Sequence, residues 1–436
     1  MPNVTQPARP SISPALGTVA LLLALNLLNY VDRYILAGEV SPIQHEFHAS
    51  DQQMGALGTA FFVFYMIAAP LTGWLGDRYR RKPMIITGAI LWSTATLAAL
   101  WIHSYTTLYL RQALVGVGEA TFGIFAPAVL SDFYPERERN RVLSIFYVAI
   151  PVGAALGYLA GGQIGSHCGW RTPFLVCALP GFLVAALYGW IGREPERGAS
   201  DHVQANMKRG TVLGILRNPA FLTATFGLAM LTFAMGGISW WVPEFLRRFA
   251  GMSMGTASLT VGATTVIDGI AGTLVGGWIA QMWLRRNHRA LYLLSAWSVA
   301  LTLPCGVMLF FGPHKWAVPS LFAAEFFLFL NTGPLNTAIV NSVSAPVRAT
   351  AISINLFCIH FFGDTFSPQV IGAISDRSNL SIGLGATLVF LLISCTILFA
   401  GARFAPPLEE AGNEGTRNQG NKATAISRDS ALREPR

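Results

Sequence analysis

Runs of 18 or more apolar residues recur along this chain of 436 residues. Each is long enough to cross about 30 Å of hydrocarbon as a helix. Nothing else in the sequence restricts the fold as much. Backbone polar groups in lipid must be paired within their own segment, so runs of this kind are helices. Twelve spans are expected, near 14–37, 53–75, 83–102, 106–131, 141–163, 171–192, 219–246, 255–284, 289–311, 317–342, 349–373 and 380–403. Only 12% of the residues are charged and 53% are hydrophobic, whereas a soluble domain is about a quarter charged. The expected fold class is an all-α polytopic membrane protein with helices packed against each other in lipid.

The net charge of +8 does not point to nucleic acid, because the basic residues follow the loops. With the N-terminus inside, the inner loops carry 17 Lys and Arg, among them Arg78, Arg80, Arg81, Lys82, Arg137, Arg139, Arg285 and Arg286. The outer loops carry 5: Arg171, Arg247, Arg248, Lys315 and Arg377. This asymmetry puts both termini in the cytoplasm, and a bacterial inner membrane is the expected location. The cysteines (Cys168, Cys177, Cys305, Cys358, Cys395) form no CxxC and read as small core residues. The first apolar run, from Leu16, lacks a basic leader, so no cleaved signal peptide is expected. Residues 1–13 and 404–436 read as disordered tails. Residues 193–218 read as a cytoplasmic linker between an N-terminal half, 14–192, and a C-terminal half, 219–403.

The halves echo each other. Gly73-Trp74-Leu75-Gly76 at the end of the second span recurs as Gly277-Trp278-Ile279-Ala280, 204 residues later. Arg139 with Ser144 recurs as Arg348 with Ser353 at an offset of 209, and Pro127 as Pro334 at 207. A near-constant offset argues for duplication into two six-helix halves, a transporter architecture with its site between the halves near mid-depth.

Polar residues inside the spans mark that site. A charge at mid-membrane costs several kcal/mol, from about 2.5 upward, and is kept where it meets a partner or a cavity. Glu119 lies in the middle of span four, flanked by Gly116, Gly118 and Ala120, which allow close approach of a helix or ligand. Asp32 and Arg33 lie toward the outer end of span one, either snorkelling to headgroups or lining a cavity. Asp32 is level with Arg111 of span four, so an Asp32–Arg111 pair is geometrically accessible. The C-terminal half carries Asp268, Glu325, Asn331, Asn336, Asn355, His360 and Asp364. His360 and Asp364 share one helix face and read either as a proton-carrying pair or as a structural contact. The run Asn331-Thr-Gly-Pro334 puts a helix breaker in mid-span, where freed carbonyls can line a cavity or mark a hinge. Gly153, Gly157 and Gly161 line one face of span five as a packing seam. Trp240, Trp241 and Trp316 are expected at helix ends as interfacial anchors. Tyr30, Tyr34, Phe61, Phe62, Tyr65 and Phe122 are available as an amphipathic cavity wall. No HxxxH, HExxH or Cys cluster suggests a metal, and no nucleophile–base set suggests an enzyme.

The loop GWLGDRYRRK, residues 73–82, resembles the inner-loop signature of the major facilitator superfamily. That resemblance implies a conformational latch built from Gly73, Asp77, Arg78 and Arg81. A closer resemblance rests on NYVDRY in span one, GVGEA in span four and RVLSIFYVAIPVGAALGYLAGG in span five. FLNTGPLNTAI in span ten and RATAISINLFCIHFFGDTFSPQVIGAISDRS in span eleven extend it. Together they resemble the Spinster family, over most of residues 20–400. This resemblance implies transport of lysolipids or sphingosine phosphate, with protons as the coupling ion. It implies that Asp32 and Glu119 carry protons, that His360 is a protonation switch and that Arg33 is a gating or headgroup residue. Asp364 joins the proton-carrying set through its i,i+4 pairing with His360. The cavity is expected to include Arg33, Arg111, Gln112, Tyr65, Glu325, Asn331 and Asn355. In one departure, the family's span-four arginine falls on Gln112 here. Arg111 sits one residue earlier, about 100° around the helix, so either it reaches the cavity from another angle or Glu119 has lost its positive partner.

The expected function is a secondary active, proton-coupled transporter of an amphiphilic anion such as a lysophospholipid, working by alternating access. The alternative is a proton-coupled transporter of small organic anions such as sugar acids. No cofactor beyond the proton is expected. The expected partners are the lipid bilayer and a small amphiphilic substrate, with no nucleic acid and a monomeric unit.

Overall fold

The computed structural model of the chain describes residues 12–134, 136–196, 212–343 and 348–407. Most of the expected tails and of the linker lies outside the described residues. In order the helices are α1 Ile12–Ile35, α2 Val40–Phe47, α3 Asp51–Arg78, α4 Arg81–Leu97, α5 Tyr105–Phe133 and α6 Glu136–Leu159. They continue as α7 Ser166–Cys168, α8 Thr172–Ile191, α9 Val212–Leu216, α10 Pro219–Phe249, α11 Met254–Leu284 and α12 Ala290–Phe311. The last are α13 Ala317–Leu330, α14 Thr332–Asn341, α15 Arg348–Ile359, α16 Ser367–Arg377 and α17 Leu380–Gly401.

Among the described residues, eleven helical stretches are long and apolar enough to cross a membrane. The remaining expected span, 349–373, is broken into α15, a π-helical turn at His360–Asp364 and α16. Gly363 leaves helical geometry there (φ −107°, ψ −108°). The expected break at Pro334 takes a gentler form, with α13 handing over to α14 at Asn331. A second π-turn, Ala160–Gly165, ends the fifth span, so the fifth and eleventh spans carry the same irregularity. Such turns concentrate at functional sites.

Short polar caps set where the spans begin. Ser50, Ser104, Ser253 and Asn379 each accept a backbone N–H from the first turn of α3, α5, α11 and α17, satisfying donors that a helix leaves open. All four lie on the face opposite the start of α1 and the end of α17, called here the far face. In the N-terminal half α5 packs on α3 and α4, and α1 on α6 and α8. In the C-terminal half α17 packs on α10 and α12, and α13 on α11 and α12. The halves meet along α3–α16 and α6–α11.

The glycine seam of span five faces α1: a side chain on Gly153 would meet Tyr30 and the Leu27 carbonyl, and one on Gly157 would meet Tyr34 and the Val31 carbonyl. It therefore serves packing within one half. Two expectations are corrected. Trp240 and Trp241 are buried rather than anchored at the interface, because α10 runs on past them to Phe249. Cys168 is exposed, while Cys177 and Cys395 are buried.

Candidate substrate and proton site

Arg33 and Glu119 form the centre of the site. The Arg33 Nη2 lies 2.7 Å from Glu119 Oε2, and its Nε donates to the same oxygen at 3.2 Å. The Glu119 side chain is fully buried and its Oε1 has no partner among the described residues. Four rings, Tyr30, Phe61, Phe62 and Tyr65, surround the guanidinium with centroids 4.7–5.9 Å from its carbon. Cation–π contact of this kind holds an arginine strongly once water is excluded. Gly116 and Gly118 let α3 and α4 approach the α5 backbone at this level, against Phe61 and Trp92. The small residues beside Glu119 thus admit neighbouring helices.

A second ion pair lies beside the first. Arg111 Nη2 is 3.3 Å from Asp32 Oδ1, and its Nε donates to the Ala95 carbonyl at 3.1 Å. Arg111 also donates to Gln112, and Thr96 donates to Asp32. The Phe174 ring covers the guanidinium at 4.6 Å. The Asp32–Arg111 pair anticipated from the levels of the two spans is therefore present. The alternative in which Glu119 lacks a positive partner is corrected: its partner comes from α1. Arg111, turned one residue around α5, faces Asp32 and α8, while Gln112 faces the cavity.

That cavity, about 290 Å³, lies between the halves. Asp32, Arg33, Gln112, Ser239 and Asp364 give it polar points; Tyr34, Phe61, Phe62, Met235 and Trp240 give it an apolar wall. His360 Nδ1 hydrogen-bonds Asp364 at 2.9 Å, and its ring stacks on Phe62 at 5.6 Å. His360 and Asp364 thus bring α15 and α16 to the α3 wall of the cavity. Trp240 is a lining residue that sequence reasoning gave to the membrane interface.

Other expected cavity residues lie elsewhere. Tyr65 sits behind the lining, between Arg33 and His360. Asn331 is buried and donates to the Leu328 carbonyl at 2.8 Å, holding the α13–α14 junction. Asn355 is buried with Oδ1 unpartnered among the described residues. Glu325 lies against α11, where Thr265 donates to it at 3.3 Å. Phe122 is packed against Trp92 and Phe146 in the core of the N-terminal half. None of these five lines the cavity.

Of the expected latch, the side chains of Gly73 and Asp77 lie outside the described residues. Arg78 lies over Trp74 of its own helix, 3.8 Å from the ring centroid. Arg81 is buried, 2.6 Å from Asp132 and 3.9 Å from Glu194. These two arginines act within the N-terminal half.

The halves are tied at the far face. Asp51 accepts from Arg248 Nη1 and Nη2 at 2.7 and 2.8 Å and from Ser375 at 2.5 Å. Asp376 accepts the Asp51 and Gln52 N–H groups at 2.8 and 2.9 Å, a carboxylate at a helix N-terminus. Deeper, Thr59 donates to the Thr365 carbonyl and Tyr158 to the Ser239 carbonyl. These bonds close the cavity toward the far face. Sequence reasoning counted Arg248 as a loop charge and did not find this network.

The sequence model of the Major Facilitator Superfamily matches residues 22–368. Spinster homolog 1 of Xenopus tropicalis is 34% identical over 385 residues, covering 82% of this chain and 72% of that protein. The chain belongs to the spinster family. Its fold is likewise that of a bacterial homolog of the human lysosomal transporter Spinster, crystallised inward-facing and unoccupied. That match has a TM-score of 0.80 at 23% identity, covering 91% of this chain and 98% of the other. A D-xylose–proton symporter shares the fold more distantly, with a TM-score of 0.70 at 16% identity over 90% of this chain and 98% of the other. This spinster-family chain is a multi-pass integral membrane protein and a transporter of the major facilitator type.

Proposed function

We propose that this protein is a proton-coupled secondary transporter of an amphiphilic anion, with a lysophospholipid as the leading substrate class. The observation that carries this reading is the Arg33–Glu119 pair at the wall of a cavity lined by both polar and aromatic side chains. An anionic headgroup and the Glu119 carboxylate compete for one guanidinium. An anion on Arg33 frees Glu119, and a freed carboxylate in a site poor in water takes up a proton. The neighbouring Asp32–Arg111 pair is internally neutral and leaves the site's balance to Arg33 and Glu119. His360 and Asp364, across the cavity from α1, are a second proton-carrying pair in this reading.

The far-face network supports alternating access in this reading. Asp51–Arg248 and the Asp376 cap hold the closed arrangement; separating them opens the cavity to the other side. Both termini are cytoplasmic in this reading, which makes the far face the outer one, in a bacterial inner membrane. The protein works as a monomer with no cofactor other than the proton.

The cavity volume favours a second reading. About 290 Å³ is near the lower end for ligand pockets and takes a sugar acid whole, whereas a lysophospholipid seats only its headgroup and must extend its acyl chain toward the bilayer. The aromatic wall supports the lipid reading. Proteoliposome uptake of a labelled lysophospholipid, with gluconate as competitor, separates them. Saturable lysophospholipid uptake untouched by gluconate supports the first reading. Gluconate uptake without lysophospholipid uptake establishes the second in its place.

A further inference from the structure

The C-terminal half holds two carboxylates that the Arg33–Glu119 site does not use. Asp268, at mid-length of α11, is fully buried, and neither of its oxygens has a hydrogen-bond partner among the described residues. Glu325 of α13 is 7% exposed, and its Oε2 is also unpartnered. The Thr265 hydroxyl donates to Glu325 Oε1 at 3.3 Å, and Thr264 and Asp268 lie within electrostatic reach of the same carboxyl. Helices α11 and α13 pack directly on each other, so the two acids share one seam.

Neither forms an ion pair among the described residues. Of the helices packed on this seam, α6 brings the Tyr158 phenol toward Glu325. Helix α10 carries Glu244, Arg247 and Arg248 only in its last two turns, and the turn His314–Trp316 that leads into α13 carries His314 and Lys315 at its far end from Glu325. Helix α12 carries only Tyr292 and Cys305 as titratable groups, and α14 carries none. The contrast with the other half sharpens the point. Glu325 stands 206 residues after Glu119, within the 204–209 spacing of the internal repeat. Glu119 has an arginine, whereas Glu325 forms no ion pair among the described residues. Two ionised carboxylates left bare at mid-membrane are untenable. What they offer is an all-oxygen set, carboxylate plus hydroxyl, which suits a small hard cation.

We propose that Asp268 and Glu325, with the hydroxyls of Thr264 and Thr265, form a separate binding site for one small monovalent cation, a proton or a sodium ion. The site is distinct from Arg33–Glu119 and stands whatever anion the protein carries.

The test needs no transported substrate. Purified protein is compared with Asp268→Asn/Glu325→Gln for ²²Na⁺ bound at pH 8.5, and for protons taken up between pH 8.5 and 5 in tetramethylammonium chloride. Loss in the variant of about one ²²Na⁺ per chain identifies a sodium site; loss of about one proton identifies a proton site. Equal sodium binding and equal proton uptake in both proteins overturn the proposal. Should the double variant fail to fold, wild-type protein is treated with dicyclohexylcarbodiimide and the modified peptides are read by mass spectrometry. Modification of Asp268 or Glu325 that sodium slows, or that low pH speeds, supports the site. Neither residue reacting at any pH from 5 to 9 overturns it.

Discussion

Arg33 Nη2 stands 2.7 Å from Glu119 Oε2, 86 positions away in sequence, with four aromatic rings around the guanidinium. An anion that binds Arg33 must displace that carboxylate. Anion binding is therefore expected to take up about one proton per ligand near neutral pH, seen by calorimetry in two buffers of different ionisation enthalpy. Arg33→Gln removes the headgroup partner and is expected to abolish binding. Arg33→Lys loses the planar contacts and is expected to bind at least tenfold more weakly, since lysine does not replace a stacked, forked arginine.

The Asp32–Arg111 pair has a different character. Both side chains are nearly inaccessible, at 1% and 3% exposure. Removing one partner strands the other, which costs about 3–5 kcal/mol for a buried pair. Asp32→Ala is expected to lower the melting temperature in detergent sharply. The double variant Asp32→Ala/Arg111→Leu is expected to recover much of that loss, because it leaves no bare charge. Equal losses in the single and double variants would show that the pairing is energetically idle.

At the far face, Arg248 reaches Asp51, Gln44 and Glu244 at once. Arg248→Ala is expected to loosen the closed arrangement. A cysteine placed at Thr232, on the cavity wall, reports this in a chain otherwise free of cysteine. Its labelling by a membrane-impermeant maleimide from the far side is expected to rise several-fold in Arg248→Ala. A shift of 1.4 kcal/mol corresponds to about tenfold in population. An unchanged rate would mean that Arg248 does not hold the gate.

Glu39, just beyond α1 on the far face, gives a pH signature. Its carboxyl is buried, Oε1 is unpartnered among the described residues, and a side chain on Gly165 would collide with it. Burial pushes its pKa up to about 8 from an ordinary 4.5. A carboxyl raised on folding favours the protonated state. Its contribution to stability is complete below about pH 4.5 and is lost as pH rises through 8. Wild-type protein is expected to lose melting temperature between pH 5 and 9 more steeply than Glu39→Gln. Parallel slopes would contradict the burial of Glu39 in the folded protein.

Much of this was legible before the fold was known. Apolar run length gave the spans, and the near-constant offset between halves gave the duplication. Helix direction and depth brought Asp32 level with Arg111, and i,i+4 spacing joined His360 to Asp364. What sequence could not supply was the angle at which neighbouring residues leave a helix. Asp32 and Arg33 are adjacent, yet about 100° apart around α1, so one meets Arg111 and the other Glu119. Trp240 reads as an interfacial anchor until α10 is seen to continue past it. The break at Gly363 was not anticipated, although Asp364, Ser367 and Pro368 follow it closely in the sequence. Arg248 looked like a loop charge because its partner Asp51 lies on a helix far away in sequence.

The central claim is that Glu119 carries the coupling proton. It is tested most directly in liposomes, by uptake of a labelled lysophospholipid with and without an imposed proton gradient, wild type against Glu119→Gln. The account predicts that the gradient stimulates wild-type flux and has no effect on the variant, whose remaining flux only equilibrates the lipid. A Glu119→Gln protein that still accumulates lipid in response to the gradient would contradict it.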